Sequence, residues 1–266
     1  MDALLPWANI ATPLAWGGAL VFLRVMACLT MMPDIGDRTV SMRVRVMLGL
    51  VLTVALDAGL GVVAVAPPEH TLMMLPVVAR EIVLGAALGL AVRLIYAAIQ
   101  VGGDIAGINM GLSLDVLFNA ASGEQQLALG RLFGVIATLF FFALGGHLIV
   151  TATLFEHLRA FPVGDGAFAL PSTEVIAEVG VHMMRSAVLL AAPVLAVTLI
   201  LNMAMGFIMR VVPSINIFGV GLSILMIGGF VAMSLEGEAV RLFIEHELDA
   251  LPERMFELSG VLPGGP

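Results

Sequence analysis

Lysine is absent from this sequence: all 12 of its basic residues are arginine. Charge of either sign is scarce, at 12% of 266 residues, and there is a single cysteine and a single tyrosine. The shortage of charge excludes an ordinary soluble domain, which is about half apolar and a quarter charged. A chain that is 60% hydrophobic reads instead as a membrane protein. The lone Cys28 excludes an internal disulfide, and five scattered histidines offer no ligand spacing for a structural zinc. A formal charge of -8 argues against nucleic acid as a partner and against a tail held on anionic lipid. "VMAC", ending at Cys28, loosely resembles a lipoprotein cleavage site. Asp2, the lack of an early positive charge and the interruption at Arg24 lead us to expect an uncleaved N-terminus.

What is present is long apolar runs. About 20 mainly apolar residues are needed to cross a bilayer as a helix. Six segments approach this: Leu14–Met32, Met47–Ala66, Ile82–Ile99, Phe133–Phe155, Ala187–Met209 and Ile215–Leu235. The breaks carry turn residues, as in "PPEH", "FPVGDGAFALPSTE" and "RVVPS". We therefore expect residues 1–235 to form one hydrophobic helical domain with a glycine-rich central loop at 104–126. Residues 236–266 turn acidic, and Val240, Phe243, Ile244, Leu248, Leu251, Met255 and Leu258 fall on a helical stripe. That tail reads as a short amphipathic helix, facing either a partner protein or its own bundle. Seventeen methionines suit surfaces that must repack.

Two features are anomalous for a lipid-embedded bundle. Arg24, Asp57, Arg93 and His147 lie inside the apolar runs. On insertion scales a mid-bilayer charge costs about 2.5–3.5 kcal/mol, so such residues must pair, line water or avoid lipid. The loops also split their arginines five against five between the two sides of a six-pass arrangement, so loop charge casts no vote on orientation. Glycines recur four apart at Gly85/Gly89, Gly103/Gly107/Gly111 and Gly130/Gly134, a spacing that lets helix backbones approach closely.

Enzyme chemistry finds no purchase. "HEL" at His246 lacks the second histidine of a zinc protease motif, because Ala250 stands there. "GVGLSI" has Ile224 where a dinucleotide loop needs its third glycine, and Ser223 has no base within evident reach. No cofactor and no metal site are expected.

Against this background the stretch "MRVVPSINIFGVGLSILMIGG", Met209 to Gly229, resembles the C-terminal signature of the FliR family, the R subunit of the flagellar type III export gate. The virulence-secretion counterparts share the pattern of Arg, Pro, Asn-x-Phe and a glycine-punctuated helix. "GGDIAGINMGLSLD" with "SGEQ" is similar to that family's central loop, "FFALGGHLIV" to its Gly-Gly-His helix, and "LRVMACLTMMPDIG" with "MRVRVMLGL" to its opening. The matches run in order from about Leu23 to Gly229.

The resemblance implies an all-α membrane protein of about six hydrophobic helices in tilted, partly broken hairpins. It implies assembly with P- and Q-type subunits and other export-apparatus membrane proteins in the bacterial inner membrane, at the flagellar basal body. Unfolded flagellar proteins would be the substrates of the resulting pore. It assigns helix-break and subunit-contact roles to Arg24, Pro33, Arg43, Gly146, His147, Arg210, Pro213, Asn216, Phe218 and Gly221. It assigns a plug to the central loop through Gly107, Met110, Gly111, Leu114, Leu117, Phe118 and Gly123. Buried arginines would then be paired by neighbouring subunits. Pro213 removes a backbone donor and disfavours helix at Val212, so Arg210 and Asn216 would serve the freed groups at a bend. The rival reading is an ion-coupled secondary transporter using Arg24, Asp57, Arg93 and His147 as a relay.

Overall fold

The computed structural model describes residues 5–37, 40–61, 63–113, 127–164, 173–211, 217–235 and 237–260. Among these the regular structure is entirely helical. The helices are α1 (Leu5–Met31), α2 (Met42–Leu60), α3 (Thr71–Asn109), α4 (Ala128–Ala143), α5 (Gly146–Ala160), α6 (Thr173–Val211), α7 (Ile217–Leu235), α8 (Gly237–Asp249) and α9 (Leu251–Leu258). Among the described residues three stretches are long and apolar enough to cross a membrane, Thr12–Met31, Thr71–Asn109 and Thr173–Val211. The count rises to five if the interrupted pairs Ala128–Ala143 with Gly146–Ala160 and Gly219–Leu235 with Gly237–Asp249 each act as one span.

Each of the six anticipated apolar segments lies wholly or mainly in helix, with two instructive differences. The run Met47–Ala66 stops being helical at Leu60, where Gly61 takes a left-handed conformation (φ 88°) and donates its N–H to the Asp57 carbonyl. The Asp57 carboxylate accepts the N–H of Val63 at 2.9 Å, so this acid closes the helix end rather than standing bare in an apolar run. Val65 then donates to the Pro13 carbonyl at 3.1 Å, and a methyl group on Gly17 would lie 2.1 Å from the Val63 oxygen. Residues 63–66 thus lie along α1 as irregular chain. Gly61→Ala should cost about 1–2 kcal/mol, because a side chain is strained in left-handed backbone even where space is open; thermal unfolding in detergent measures it. The second difference is a break within Phe133–Phe155, at Leu144–Gly145, where Gly145 is again left-handed (φ 74°).

The chain divides into two compact units, with boundaries inside α3, α6 and α8 and between α4 and α5. The first comprises Met1–Arg93, Gly145–Ala177 and Leu248–Pro266. Here α2 packs on α1, with Gly49 against Met26 and Phe22, and on α5, with Gly59 against the Phe155 ring. The start of α3 lies across α1 at Gly85 and Gly89, and α9 covers α5. Leu251, Met255 and Leu258 of the C-terminal stripe are buried in this unit.

The second unit comprises Leu94–Leu144 and Glu178–Glu247. Gly103 of α3 meets Gly130 and Phe133 of α4, with only 3.0 Å between a methyl at Gly103 and the Gly130 Cα. Gly134 packs against Gln100, and Gly102 meets Ala187 and Leu190 of α6. Each glycine group picked out by its spacing therefore includes a position at a close helix approach. Lipid gives helices no hydrophobic drive to associate, so these small residues supply contact area instead.

Candidate functional site

The apolar face of α1 around Leu20, Val21, Val25 and Cys28 is buried, and Arg24 sits among these residues with no exposed surface. Its partner is Glu81 of α3, also fully buried. Nε of Arg24 donates to Oε2 of Glu81 at 2.6 Å, and Nη2 lies 2.5 Å from the same oxygen. Nη1 donates to the carbonyl of Phe161, just past the end of α5, at 2.8 Å, and lies 3.4 Å from Nδ1 of His157. One guanidinium thus joins α1, α3 and α5, and brings a positive charge to the C-terminal end of α5, where free carbonyls favour it.

Sequence geometry explains why Glu81 arrives there. Residues four apart share a helix face, so Glu81, Gly85 and Gly89 form one stripe on α3. A methyl on Gly85 would lie 2.1 Å from the Arg24 oxygen, and one on Gly89 2.3 Å from the Cys28 oxygen. The two glycines bring the α3 backbone against α1 and so deliver the carboxylate to the guanidinium. Arg80 completes the cluster, with Nη1 3.3 Å from Oε1 of Glu81. The buried ring of His157 packs between Phe161 and Phe256, with centroids 5.2 and 5.4 Å away.

This corrects the expectation that neighbouring subunits neutralise Arg24, since the chain's own Glu81 does so. Sequence reasoning misses Arg80 and Glu81 because they lie just before the run Ile82–Ile99, and His157 because it lies just past the run Phe133–Phe155. The available signal was the place of Glu81 one turn ahead of Gly85.

The other anticipated residues are dispersed. Arg43 is exposed at the start of α2, whereas Arg45 holds the turn after Pro33, donating to Ile35 at 2.8 Å and Asp37 at 2.9 Å. Gly146 is buried at the start of α5, and His147 beside it is half-buried. Arg93 and Arg210 are exposed, the latter near the end of α6. Gly221 is buried in α7, and Phe218 lies in the first turn of that helix. Pro213 and Asn216 lie outside the described residues, as do Leu114, Leu117, Phe118 and Gly123 of the central loop.

The part of that loop region that is described is packed. Met110 is fully buried, against Gly229 of α7, and Gly111 is left-handed (φ 82°) beside Leu222. Truncating Met110 to alanine should destabilise the protein by about 2–5 kcal/mol, as for other buried Met→Ala changes, read as a lower melting temperature in detergent.

On α6 and α8, His182 Nε2 lies 3.1 Å from the buried carboxylate of Glu247. Among the described residues no group of three or more His, Cys, Asp or Glu is placed to hold a metal ion. What the main cluster can do is mechanical: it locks three helices together through charge.

Comparison with known proteins identifies the lineage. Residues 15–251 match the model of the bacterial export proteins, family 1. The chain is 27% identical over 241 residues to the flagellar biosynthetic protein FliR of Escherichia coli K12, covering 91% of this chain and 92% of that protein. It is 31% identical over 232 residues to the FliR of Caulobacter vibrioides, covering 84% and 89%. The FliR of Bacillus subtilis matches at 27% over 226 residues, covering 80% and 83%. This all-helical membrane chain belongs to family 1 of the bacterial export proteins, the family of the flagellar biosynthetic protein FliR.

Proposed function

We propose that the chain is a structural and gating subunit of the flagellar export gate in the bacterial inner membrane. In this reading it assembles with P- and Q-type subunits at the basal body. Together they form the pore through which unfolded flagellar proteins leave the cytoplasm. Membership of the export family supports the flagellar role.

The observation that carries the assembly is the surface of α6. Only 17% of its most apolar window is buried within the chain. Large apolar side chains are exposed along its length, from Ile176 through Leu199 and Phe207 to Val211. With 39 residues, at 1.5 Å per residue, α6 is about 58 Å long, against about 30 Å of hydrocarbon. Lipid alone covers that length only in part, and sister subunits cover the remainder. The relay of the transporter reading is poorly supported, because Arg24 is engaged by Glu81 and Asp57 closes α2.

Co-expression with the P- and Q-type subunits, followed by mass measurement of the purified complex, tests the assembly; recovery of this chain alone would overturn it. For the plug, deletion of residues 111–126 should raise small-ion leak through the reconstituted complex. Unchanged conductance with normal assembly would reject that role. A constriction sealed by apolar side chains gates by excluding water.

A further inference from the structure

Among the described residues, the buried cluster holds more positive charge than negative. Arg24 and Arg80 share the single Glu81 carboxylate, and Arg80 is only 6% exposed. An arginine side chain donates and never accepts, so the contact between Arg24 and Nδ1 of His157 places the imidazole proton on Nε2. Among the described residues, neither that Nε2 nor Nε of Arg80 has an acceptor, and both atoms are buried. Buried donors without acceptors, beside a surplus cation, are costly in a low-dielectric interior and call for an anionic oxygen.

The surroundings of Arg80 indicate where that oxygen comes from. Exposed apolar side chains flank it on both sides along α3, with Leu72, Met73 and Leu75 before it and Ile82 and Val83 after it. A phosphate at the membrane surface has hydrocarbon on one side and water on the other. An acceptor inside a continuous apolar band has to be carried there on another apolar helix. We propose that Arg80 receives a carboxylate borne by an apolar helix of another membrane protein, docked against the Met73–Val83 stretch of α3. The identity of the partner as an export-gate subunit rests on the function proposed above, but the chemistry of the site does not.

The test uses the full chain, affinity-tagged and co-expressed with the other membrane subunits of its apparatus. Arg80→Gln removes the 3.3 Å contact with Glu81 but leaves the Arg24–Glu81 pair in place, so the melting temperature of the chain purified alone should fall less than that of Glu81→Ala. Recovery of the partner should fall about tenfold or more, the scale of one lost charge-assisted hydrogen bond. Equal recovery with wild type and Arg80→Gln would overturn the inference. So would native mass spectra in which the variant loses a bound phospholipid while its subunits are unchanged, since the acceptor would then be a headgroup phosphate. If Arg80→Gln fails to fold, a photo-crosslinking residue in place of Met73 keeps the test open. Crosslinks should map to an apolar segment of another chain containing Asp or Glu, and crosslinks to segments lacking either, or none, would count against it. A wild-type chain that recovers no partner removes both this site and the proposed gate role.

Discussion

Replacing Glu81 with alanine should be among the most damaging single changes in the chain, costing about 3–5 kcal/mol, because it strands a buried arginine without its counter-ion. Arg24 is fully enclosed and its remaining contacts, the Phe161 carbonyl and His157, are neutral acceptors that cannot balance its charge. The expected signs are a lowered melting temperature in detergent and reduced accumulation in cells. The reciprocal change, Arg24→Met, strands Glu81 less severely because Arg80 still reaches Oε1 at 3.3 Å. The double variant Arg24→Met/Glu81→Leu separates two meanings of the pair. Apolar replacement of a whole buried ion pair is often neutral or stabilising by about 1–4 kcal/mol, so the double variant should be more stable than Glu81→Ala alone. If it is as unstable as the single variant, the cluster matters for packing shape and not for charge balance.

A comparable loss is expected at the crossing that delivers Glu81. Gly85→Ala and Gly89→Ala each place a methyl group within 2.1 to 2.3 Å of a backbone oxygen on α1. No rotamer change relieves a clash with backbone, so α1 and α3 must separate. Separation also stretches the Arg24–Glu81 pair, so each variant should exceed the usual overpacking cost of about 1–3 kcal/mol. Gly206→Ala is the control: nothing lies within 4 Å of a methyl there. In a helix interior Ala is favoured over Gly by up to about 1 kcal/mol, so that variant should be neutral or slightly stabilised in the isolated chain. Loss of partner recovery with Gly206→Ala, while the isolated chain stays stable, would mark that face of α6 as a contact with another subunit.

Much of the helical organisation was legible because hydrophobic length and glycine spacing are local properties. The runs from Leu14, Ile82 and Ala187 each fall in a long helix, and the glycines at 85, 89, 103, 130 and 134 all meet another helix closely. Charge partners were less legible. Arg24 and Glu81 lie 57 residues apart, and nothing in either neighbourhood names the other until α3 crosses α1. The same holds for Asp57, an intruder by hydropathy that in the folded chain closes its own helix through Val63. At the turn after Pro33, Arg45 donates to the carbonyls of Ile35 and Asp37, a contact that depends on how α2 folds back and that no local motif names.

From sequence alone come the membrane class, the helical character of the apolar runs and the family, since composition, run length and motif order depend on no long-range contact. Only the tertiary structure decided how the buried charges are met, because pairing depends on which helix faces cross. A glycine stripe brings the α3 backbone against α1, and in the interior so formed an ion pair holds only where geometry brings both charges together.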